Sequence, residues 1–229
     1  MKVILFGGSG MVGQGVLREC LLDPEVTAVL SIVRGSTGQQ HAKLREIIHK
    51  DFFDFSSIES ELAGFDACFF CLGATSAGMS EEDYRRLTYD ITLAAAQTLV
   101  KPNPNMTFIY ISGAGTDSSE RGRSMWARVK GQTENALLRL PFKAAYMFRP
   151  GVIVPLHGIK SRTTIYRVSY ALMWPLLPLL KSRFPKYVTT TEKLGRAMLI
   201  AAKRGAPKPV LECSDINSLS DAAPPSSRH

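Results

Sequence analysis

The chain begins MKVILFGGSGMVGQGVLRECLL (residues 1–22), and this stretch decides the fold. An apolar run at 3–6 leads directly into a glycine-rich turn and then into a helical pattern over 11–22. In such a strand–turn–helix unit, glycines permit a tight turn, a close approach to a pyrophosphate and a close helix–strand contact. The helix N-terminus adds free N–H groups and a dipole that favour phosphate. The spacing G-x-x-G-x-x-G therefore predicts a dinucleotide-binding turn. Its residues are Gly7, Gly8, Ser9, Gly10, Met11, Val12 and Gly13.

Apolar runs alternate with helical patterns along the rest of the chain, which is typical of a parallel sheet covered by helices on both faces. We expect helices at 11–22, 80–100 and around 124–140. Capping boxes Ser80/Asp83 and Thr189/Glu192 predict the starts of the second helix and of a last one. The predicted fold is α/β, a doubly wound parallel sheet of the Rossmann type with a small C-terminal substrate or lid region. The expected strands lie at 3–6, 26–33, 45–52, 66–72, 107–112, 144–150 and 209–213.

The domain organisation follows from length and from two segments outside the strand–helix rhythm. We expect one domain over 1–213, an apolar lid or insert at 155–186 and a polar C-terminal tail at 214–229. The insert is too short and too often broken by proline to cross a bilayer, which needs about 20 continuous apolar residues. A lid over a hydrophobic substrate, or a dimer contact, is the favoured interpretation. A weak contact of 165–181 with an anionic membrane surface or a protein is the alternative, and monomer and homodimer both stay open.

Charge and cysteine usage restrict the partners and the compartment. Lys and Arg number 28 against 20 Asp and Glu, which suits a basic surface or a phosphate-bearing ligand. The basic residues are scattered, so we expect no nucleic-acid partner. Cys68 and Cys71 form C-x-x-C within a predicted strand, where they would point to opposite faces and pack in the core; we expect no metal. The N-terminal apolar run is too short for a signal-peptide core, and four spread cysteines fit a reducing compartment, so we expect a cytoplasmic location.

The end of the second predicted strand bears on the choice of dinucleotide. An acidic residue there usually holds an unphosphorylated ribose, but this chain has Arg34, followed by Ser36 and Thr37. Arginine suits a 2′-phosphate, so we expect NADP(H) rather than NAD(H); the alternative is a solvated loop arginine. Asp51 and Phe52 are predicted to hold the edge and face of the adenine. Small residues after the fourth strand would let the chain lie against the cofactor, at Leu72, Gly73 and Ala74.

Five motifs in order carry a resemblance to a known family: GGSGMVG (7–13), CLGAT (71–75), YISGAG (110–115), VKGQTE (129–134) and RPG (149–151). Over roughly residues 1–200 the chain resembles an atypical, epimerase-like short-chain dehydrogenase/reductase, of the branch related to the Tat-interacting oxidoreductase-like protein. The resemblance implies that Ser112 hydrogen-bonds a substrate carbonyl. It implies that Lys130 holds the nicotinamide ribose and lowers the pKa of a tyrosine, and that Pro150 and Gly151 meet the nicotinamide amide.

The resemblance places that tyrosine at position 126, where this chain has Trp126, one helical turn before Lys130. Indole N–H donates a hydrogen bond but not a proton, and a positioned general acid contributes about 10²–10⁴-fold in rate. Ser112 or a bound water could take over the proton transfer. His157, Tyr166 and Tyr170 are further candidates, although ordinary packing is the favoured interpretation of each; Tyr110, in mid-strand, is a poorer one.

Three functions compete. The first is an NADPH-dependent reductase of a small hydrophobic carbonyl compound, with a non-standard proton donor. The second is a non-catalytic NADP(H)-binding regulator or scaffold, consistent with Trp126. The third is a nucleotide-sugar epimerase or dehydratase, which ranks last because little chain follows the sixth predicted strand to form a sugar-nucleotide pocket.

Overall fold

The computed structural model describes residues 1–159 and 185–222. The strands there are β1 (Lys2–Phe6), β2 (Ala28–Val33), β3 (Leu44–Ile48), β4 (Ala67–Phe70), β5 (Thr107–Ile111), β6 (Ala144–Arg149), β7 (Val152–Val154), β8 (Val188–Thr190) and β9 (Val210–Glu212). The α-helices there are α1 (Met11–Leu22), α2 (Glu81–Arg85), α3 (Ile91–Val100), α4 (Met125–Leu138), α5 (Thr191–Arg204) and α6 (Cys213–Asp221). Residues Ser56–Leu62 and Pro185–Tyr187 form 3-10 turns, and Arg86–Asp90 form a π-helical turn.

A parallel sheet of seven strands, in the order β3-β2-β1-β4-β5-β6-β9, forms the centre of the molecule. Strand β1 pairs with β2 on one side and β4 on the other, so the chain reverses its direction of travel across the sheet there. In doubly wound sheets, ligands bind beyond the carboxyl ends of the strands at this switch point. The sheet confirms the predicted Rossmann-like α/β fold.

The core lies on both faces of the sheet, because alternate side chains of each strand point to opposite sides. Val3 and Leu5 of β1 pack with α1 and α5, whereas Ile4 and Phe6 pack with α3 and the aromatic residues that follow β3. All four side chains are fully buried. Burial on both faces is why the strand reads as an unbroken apolar run, and each such side chain contributes about 1.5–3 kcal/mol.

The helix boundaries differ from the prediction in two places. Ser80 does cap α2, accepting from the Asp83 N–H at 3.1 Å, but the helical stretch after it contains the π turn Arg86–Asp90. The cap of α5 is Thr190, whose Oγ1 accepts from the Lys193 N–H at 3.0 Å, and not Thr189. Strand β8 extends through Thr190, which moves the helix start one residue along the chain.

The C-terminal part holds elements that the sequence did not predict. Strands β7 and β8 pair in parallel as a separate two-stranded sheet, with Val152 opposite Val188. Residues 213–221, largely assigned to the tail at 214–229, form α6 instead; a capping box of Glu212 and Asp215 starts it, and Ile216 is fully buried. The segment is polar in composition, yet it docks through Ile216 in the core and the partly buried Leu219 beside it.

Most of the predicted insert at 155–186 falls outside the described residues, including the proposed contact segment 165–181 and the candidates Tyr166 and Tyr170. The lid and the surface contact therefore stay predictions. Within 1–159 and 185–222, no helix combines the length and the apolar character that a membrane crossing requires.

Candidate functional site

A cleft of about 770 Å³ lies at the carboxyl ends of the central strands, at the switch point between β1 and β4. We call its lining by Gly7, Ser9, Gly10, Met11, Val12 and Arg34 the phosphate end. We call its lining by Ile111, Ser112, Trp126, Lys130, Pro150 and Gly151 the nicotinamide end, after the roles that the resemblance implies. Leu72, Gly73 and Ala74 also line the cleft. Most of the residues predicted for the site thus meet in one cavity.

At two positions of the glycine turn at the phosphate end, close contacts with neighbouring protein atoms leave room only for glycine. Gly7 has φ +81°, and a Cβ there would lie 2.7 Å from the carbonyl carbon of Cys71. A Cβ at Gly13 would lie 2.0 Å from the Gly7 oxygen, so α1 can approach β1 only with glycine at that position. Gly8 and Gly13 do not line the cleft; their small size serves packing, with Gly8 against Ser31.

Gly10 differs from Gly7 and Gly13, because a Cβ there would meet only the Gly7 oxygen, at 3.4 Å. Gly10 is the N-cap of α1 and has no side chain to accept the helix's first N–H groups. A helix N-terminus without a side-chain cap, directed at an open cleft, suits an anion such as a pyrophosphate. The residues present therefore fit the phosphates of a dinucleotide.

Arg34 is exposed and lines the cleft, as predicted, but Ser36 does not. The Ser36 hydroxyl donates to the Glu46 carboxylate at 3.0 Å, and both the N–H and the hydroxyl of Thr37 donate to the same group. In this structure both hydroxyls donate to Glu46, and their predicted role as added donors to a 2′-phosphate stays a prediction. Glu46 belongs to β3, and its proximity to the loop after β2 arises from strand pairing that the local sequence does not reveal.

A smaller cavity of about 240 Å³ adjoins the phosphate end and shares Arg34 and the 72–74 segment with the cleft. Phe52 lines it but is 94 % buried in an aromatic cluster, whereas the next residue, Phe53, is 41 % exposed and lies under Arg86. Asp51 lines neither cavity: its carboxylate accepts from the Phe53 N–H at 2.9 Å and shapes the turn. Strand β3 ends at Ile48, earlier than predicted, so the expected side-chain positions shifted and Lys50 and Phe53 were missed.

Ser112 lies at the nicotinamide end, but its hydroxyl is hydrogen-bonded to protein groups. The hydroxyl lies 2.5 Å from Glu134 Oε1 and 3.1 Å from the carbonyl oxygen of Phe148, both of which are acceptors. Glu134 is fully buried and binds the Arg149 guanidinium through both carboxylate oxygens. The hydrogen bonds that Arg149 donates to Glu134 raise the pKa of the Arg149 guanidinium above its ordinary value. With its only proton given to a buried carboxylate, Ser112 has none left for a substrate carbonyl.

The Glu134–Arg149 ion pair ties the helix that carries Trp126 and Lys130 to the strand that precedes Pro150. Both ion-pair residues stood within recognised motifs, VKGQTE and RPG, yet neither was predicted to have a role. The available signal was a glutamate four residues after Lys130, on the same side of the helix, together with an arginine that ends an apolar strand.

Trp126 and Lys130 both line the cleft, as their spacing predicted. The outer edge of the indole lies over Gly115, where a Cβ would be 3.5 Å from Cη2. Lys130 Nζ donates to the Ser112 carbonyl oxygen at 2.9 Å and lies 5.5 Å from the ring centre of Tyr110. Burial lowers the pKa of the Lys130 ammonium to about 8, although the nearby Glu134 charge acts in the opposite direction.

Two of the other proton donors considered from sequence, His157 and Tyr110, are described by the structure and do not line the cleft. His157 hydrogen-bonds to Glu192 at 2.7 Å, at a site separate from the cleft. Tyr110 is buried in the core, and this burial raises the pKa of its phenol. Sequence reasoning missed Tyr187, which lines the cleft and is 62 % exposed. No local pattern marks it, because the pairing of β7 with β8 is what brings it there.

The C-x-x-C pair packs as predicted. Cys68 belongs to the core cluster on one face of the sheet, while Cys71 packs against the cluster on the other. Burial raises the pKa of both thiols. Residues 1–159 and 185–222 bring together no group of three or more His, Cys, Asp and Glu side chains suited to a metal ion.

Comparison with known proteins finds homologues of this chain. No family model matches the chain. The mitochondrial protein Fmp52 of Emericella nidulans is 30% identical over 159 residues, which are 66% of each chain. HTATIP2 of Rattus norvegicus is 27% identical over 156 residues, covering 67% of this chain and 63% of that protein. The chain is a homologue of Fmp52 and HTATIP2. The predicted resemblance is confirmed, and the matches span about two thirds of these relatives.

Solved structures agree on the fold. Gre2 of Candida albicans, in complex with NADPH, superposes with a TM-score of 0.69 at 13% identity, over 93% of this chain and 78% of that one. WbmF of Bordetella bronchiseptica, in complex with NAD+, superposes with a TM-score of 0.64 at 14% identity, over 96% and 77%. At these identities the likeness shows a shared Rossmann-like fold.

The names of the relatives correct the expected cytoplasmic location. The Fmp52 relatives from Emericella nidulans, Meyerozyma guilliermondii and Saccharomyces cerevisiae are named mitochondrial. The expectation rested on the short apolar run and the scattered cysteines. Neither feature separates the cytosol from a mitochondrion, because mitochondrial targeting does not use the apolar core of a secretory signal.

Proposed function

We propose that this chain binds a nicotinamide dinucleotide in the cleft, prefers NADP(H) to NAD(H), and reduces a small hydrophobic carbonyl compound. The observation that carries the proposal is the cleft itself. At one end it has a glycine turn and a helix N-terminus without a side-chain cap, and at the other it has Lys130. The solved neighbours Gre2 and WbmF, in complexes with NADPH and NAD+, support a cofactor of this class.

The preference for NADP(H) is supported by the charges around the smaller cavity. Arg34 and Lys50 both line it and are both exposed, so two cations are available for a 2′-phosphate. Glu46 is the nearby acid that could otherwise accept from ribose hydroxyls, but Ser36 and Thr37 already direct three donors at it. A carboxylate that already accepts three hydrogen bonds and two exposed cations favour the phosphorylated ribose.

The nicotinamide end supports a hydrophobic carbonyl substrate. Ile111 and Trp126 give it apolar walls, and Val152 and Ile153 add apolar surface to the same cleft. When bound, the reduced cofactor supplies a hydride. Lys130 would hold the ribose with the donors that its bond to Ser112 leaves free.

The test is binding of NADPH and NADH to wild type, Arg34→Asp and Gly10→Val, measured by calorimetry. Gly10→Val should abolish binding of both dinucleotides, since a branched side chain would occupy the phosphate position, while circular dichroism stays native. Arg34→Asp should weaken NADPH far more than NADH. Arg204→Asp changes the net charge equally at an exposed position outside both cavities, and should leave the ratio unchanged. Equal losses for the two dinucleotides in Arg34→Asp would overturn the NADP(H) preference.

A second candidate function is a non-catalytic NADP(H)-binding regulator or scaffold. The specific observation in its favour is that both expected proton-transfer groups are unavailable: residue 126 is tryptophan, and the Ser112 hydroxyl donates to Glu134. NADPH oxidation over a panel of aryl aldehydes and alkyl ketones separates the two functions. Brisk turnover by wild type removes the regulator, whereas binding without turnover removes the reductase.

A further inference from the structure

Few side chains lining the cleft can release a proton to a substrate. Among its described lining residues, the ionisable ones are Arg34, Cys71, Lys130 and Tyr187. Arginine stays protonated at any working pH, and burial raises the pKa of the Cys71 thiol, which therefore keeps its proton. Lys130 and Tyr187 are the groups left to compare.

Tyr187 is held beside the nicotinamide end by two backbone features. Residue 188 pairs with residue 152 in the β7–β8 ladder, which places Tyr187 level with Gly151. A Cβ at Gly151 would lie 2.3 Å from the Tyr187 carbonyl oxygen, so only glycine permits this close contact. Tyr187 lines the cleft and is 62 % exposed, so the residue borders both the cleft and the solvent.

We propose that Tyr187, in the 3-10 turn that precedes β8, is the general acid of the reductase and supplies the proton that Trp126 cannot give. This inference rests on the proposed function. A hydride from the reduced cofactor bonds to the carbonyl carbon, and the π electrons of the C=O bond move to the oxygen. The Tyr187 Oη–H bond then breaks as the new O–H bond of the alcohol forms. The phenolate regains a proton from water, and the cofactor leaves oxidised.

Lys130 is the rival donor, but its geometry suits another role. Its Nζ already donates to the Ser112 carbonyl oxygen at 2.9 Å, and the resemblance assigns its other donors to the nicotinamide ribose. Releasing a proton would weaken both contacts at the moment when the cofactor must be held still. Tyr187 has no such second task within the residues that the structure describes.

Tyr187→Phe removes only the phenol oxygen, so it tests the proton without emptying the site. In the reduction of aryl aldehydes by NADPH, kcat should fall by about 10²–10⁴-fold, the usual contribution of a positioned acid. The Kd for NADPH should stay near the wild-type value. The matched control is Tyr89→Phe, because Tyr89 is half-buried on the π turn and lines a different cavity; its kcat should not change.

A readout independent of turnover locates the phenol. Tetranitromethane nitrates accessible tyrosines, and peptide mass spectrometry reports each one separately. Saturating NADPH should slow nitration of Tyr187 several-fold and leave Tyr89 unaffected. Equal nitration of Tyr187 with and without NADPH would place the phenol outside the occupied cleft and overturn the assignment.

The outcomes separate the two proposals. If wild type binds NADPH but reduces no carbonyl compound, the reductase fails, and the proton donor fails with it. If wild type reduces the aldehydes and Tyr187→Phe is equally fast, the reductase stands and Tyr187 is rejected.

Discussion

The phosphate end and the nicotinamide end of the same cleft differ in what holds their chemistry. At the phosphate end, binding relies on backbone: two glycines fixed by close contacts, a third left open, and a helix N-terminus. At the nicotinamide end, the chemistry depends on side chains. Residue 126 is tryptophan, and the Ser112 hydroxyl donates to a buried carboxylate. The features that would bind the cofactor and those that would transfer a proton therefore lie at different ends of the cleft.

The largest expected effect concerns the ion pair that supports the nicotinamide end. Glu134→Ala leaves the Arg149 charge without its main partner in a buried position, and should lower the free energy of unfolding by about 3–5 kcal/mol. Urea denaturation measures this. Glu81→Ala breaks the more exposed pair with Arg128 and should cost at most about 1 kcal/mol. Similar costs for the two variants would contradict a supporting role for Glu134; Glu134→Gln provides a milder variant if Glu134→Ala does not fold.

Ser112→Ala decides whether this serine serves structure or catalysis. Loss of its hydrogen bond to the Glu134 carboxylate should lower the free energy of unfolding by about 1.5–3 kcal/mol. Because the proton is not available to a substrate, kcat should fall less than about ten-fold, well below the loss expected for a catalytic group. Urea denaturation and NADPH oxidation measure the two quantities. A large loss of kcat at unchanged stability would restore the catalytic role that the resemblance implies.

The smallest expected effect is a pH dependence that comes from Lys130. Its pKa is about 8 in the folded protein against an ordinary 10.5, so between these values the unfolded chain holds a proton that the folded chain has lost. The contribution of this residue to the free energy of unfolding therefore rises with pH across that window. The difference between wild type and Lys130→Met should grow by on the order of 1–3 kcal/mol from pH 8 to 10.

Urea denaturation at a series of pH values measures that difference. Buried cysteines, whose raised pKa lowers stability over the same range, affect both proteins equally and cancel. A difference that stays flat from pH 8 to 10 would mean that the Lys130 ammonium is well solvated, and the nicotinamide end would then be wetter than its apolar lining indicates.

Local patterns predicted the features that depend on neighbours along the chain. Helix α1 begins and ends where its sequence indicated, and Trp126 and Lys130 share one side of α4 because helical spacing requires it. The errors arose where a partner comes from elsewhere. Ser36, after β2, donates to Glu46 of the neighbouring strand β3. The cap of α5 is Thr190 because β8 pairs with β7, and α6 forms where the composition is polar.

The sequence by itself determined the Rossmann-like sheet, the glycine turn and the tryptophan at position 126. Each of these follows from residue spacing along the chain or from the identity of one residue, so it can be recognised without knowing contacts between distant residues. Only the tertiary structure decided that Ser112 is bound to Glu134 and that Tyr187 reaches the cleft. Residues 112 and 134, like 151 and 187, are far apart along the chain, and only the packing of strand against helix and strand against strand brings them together.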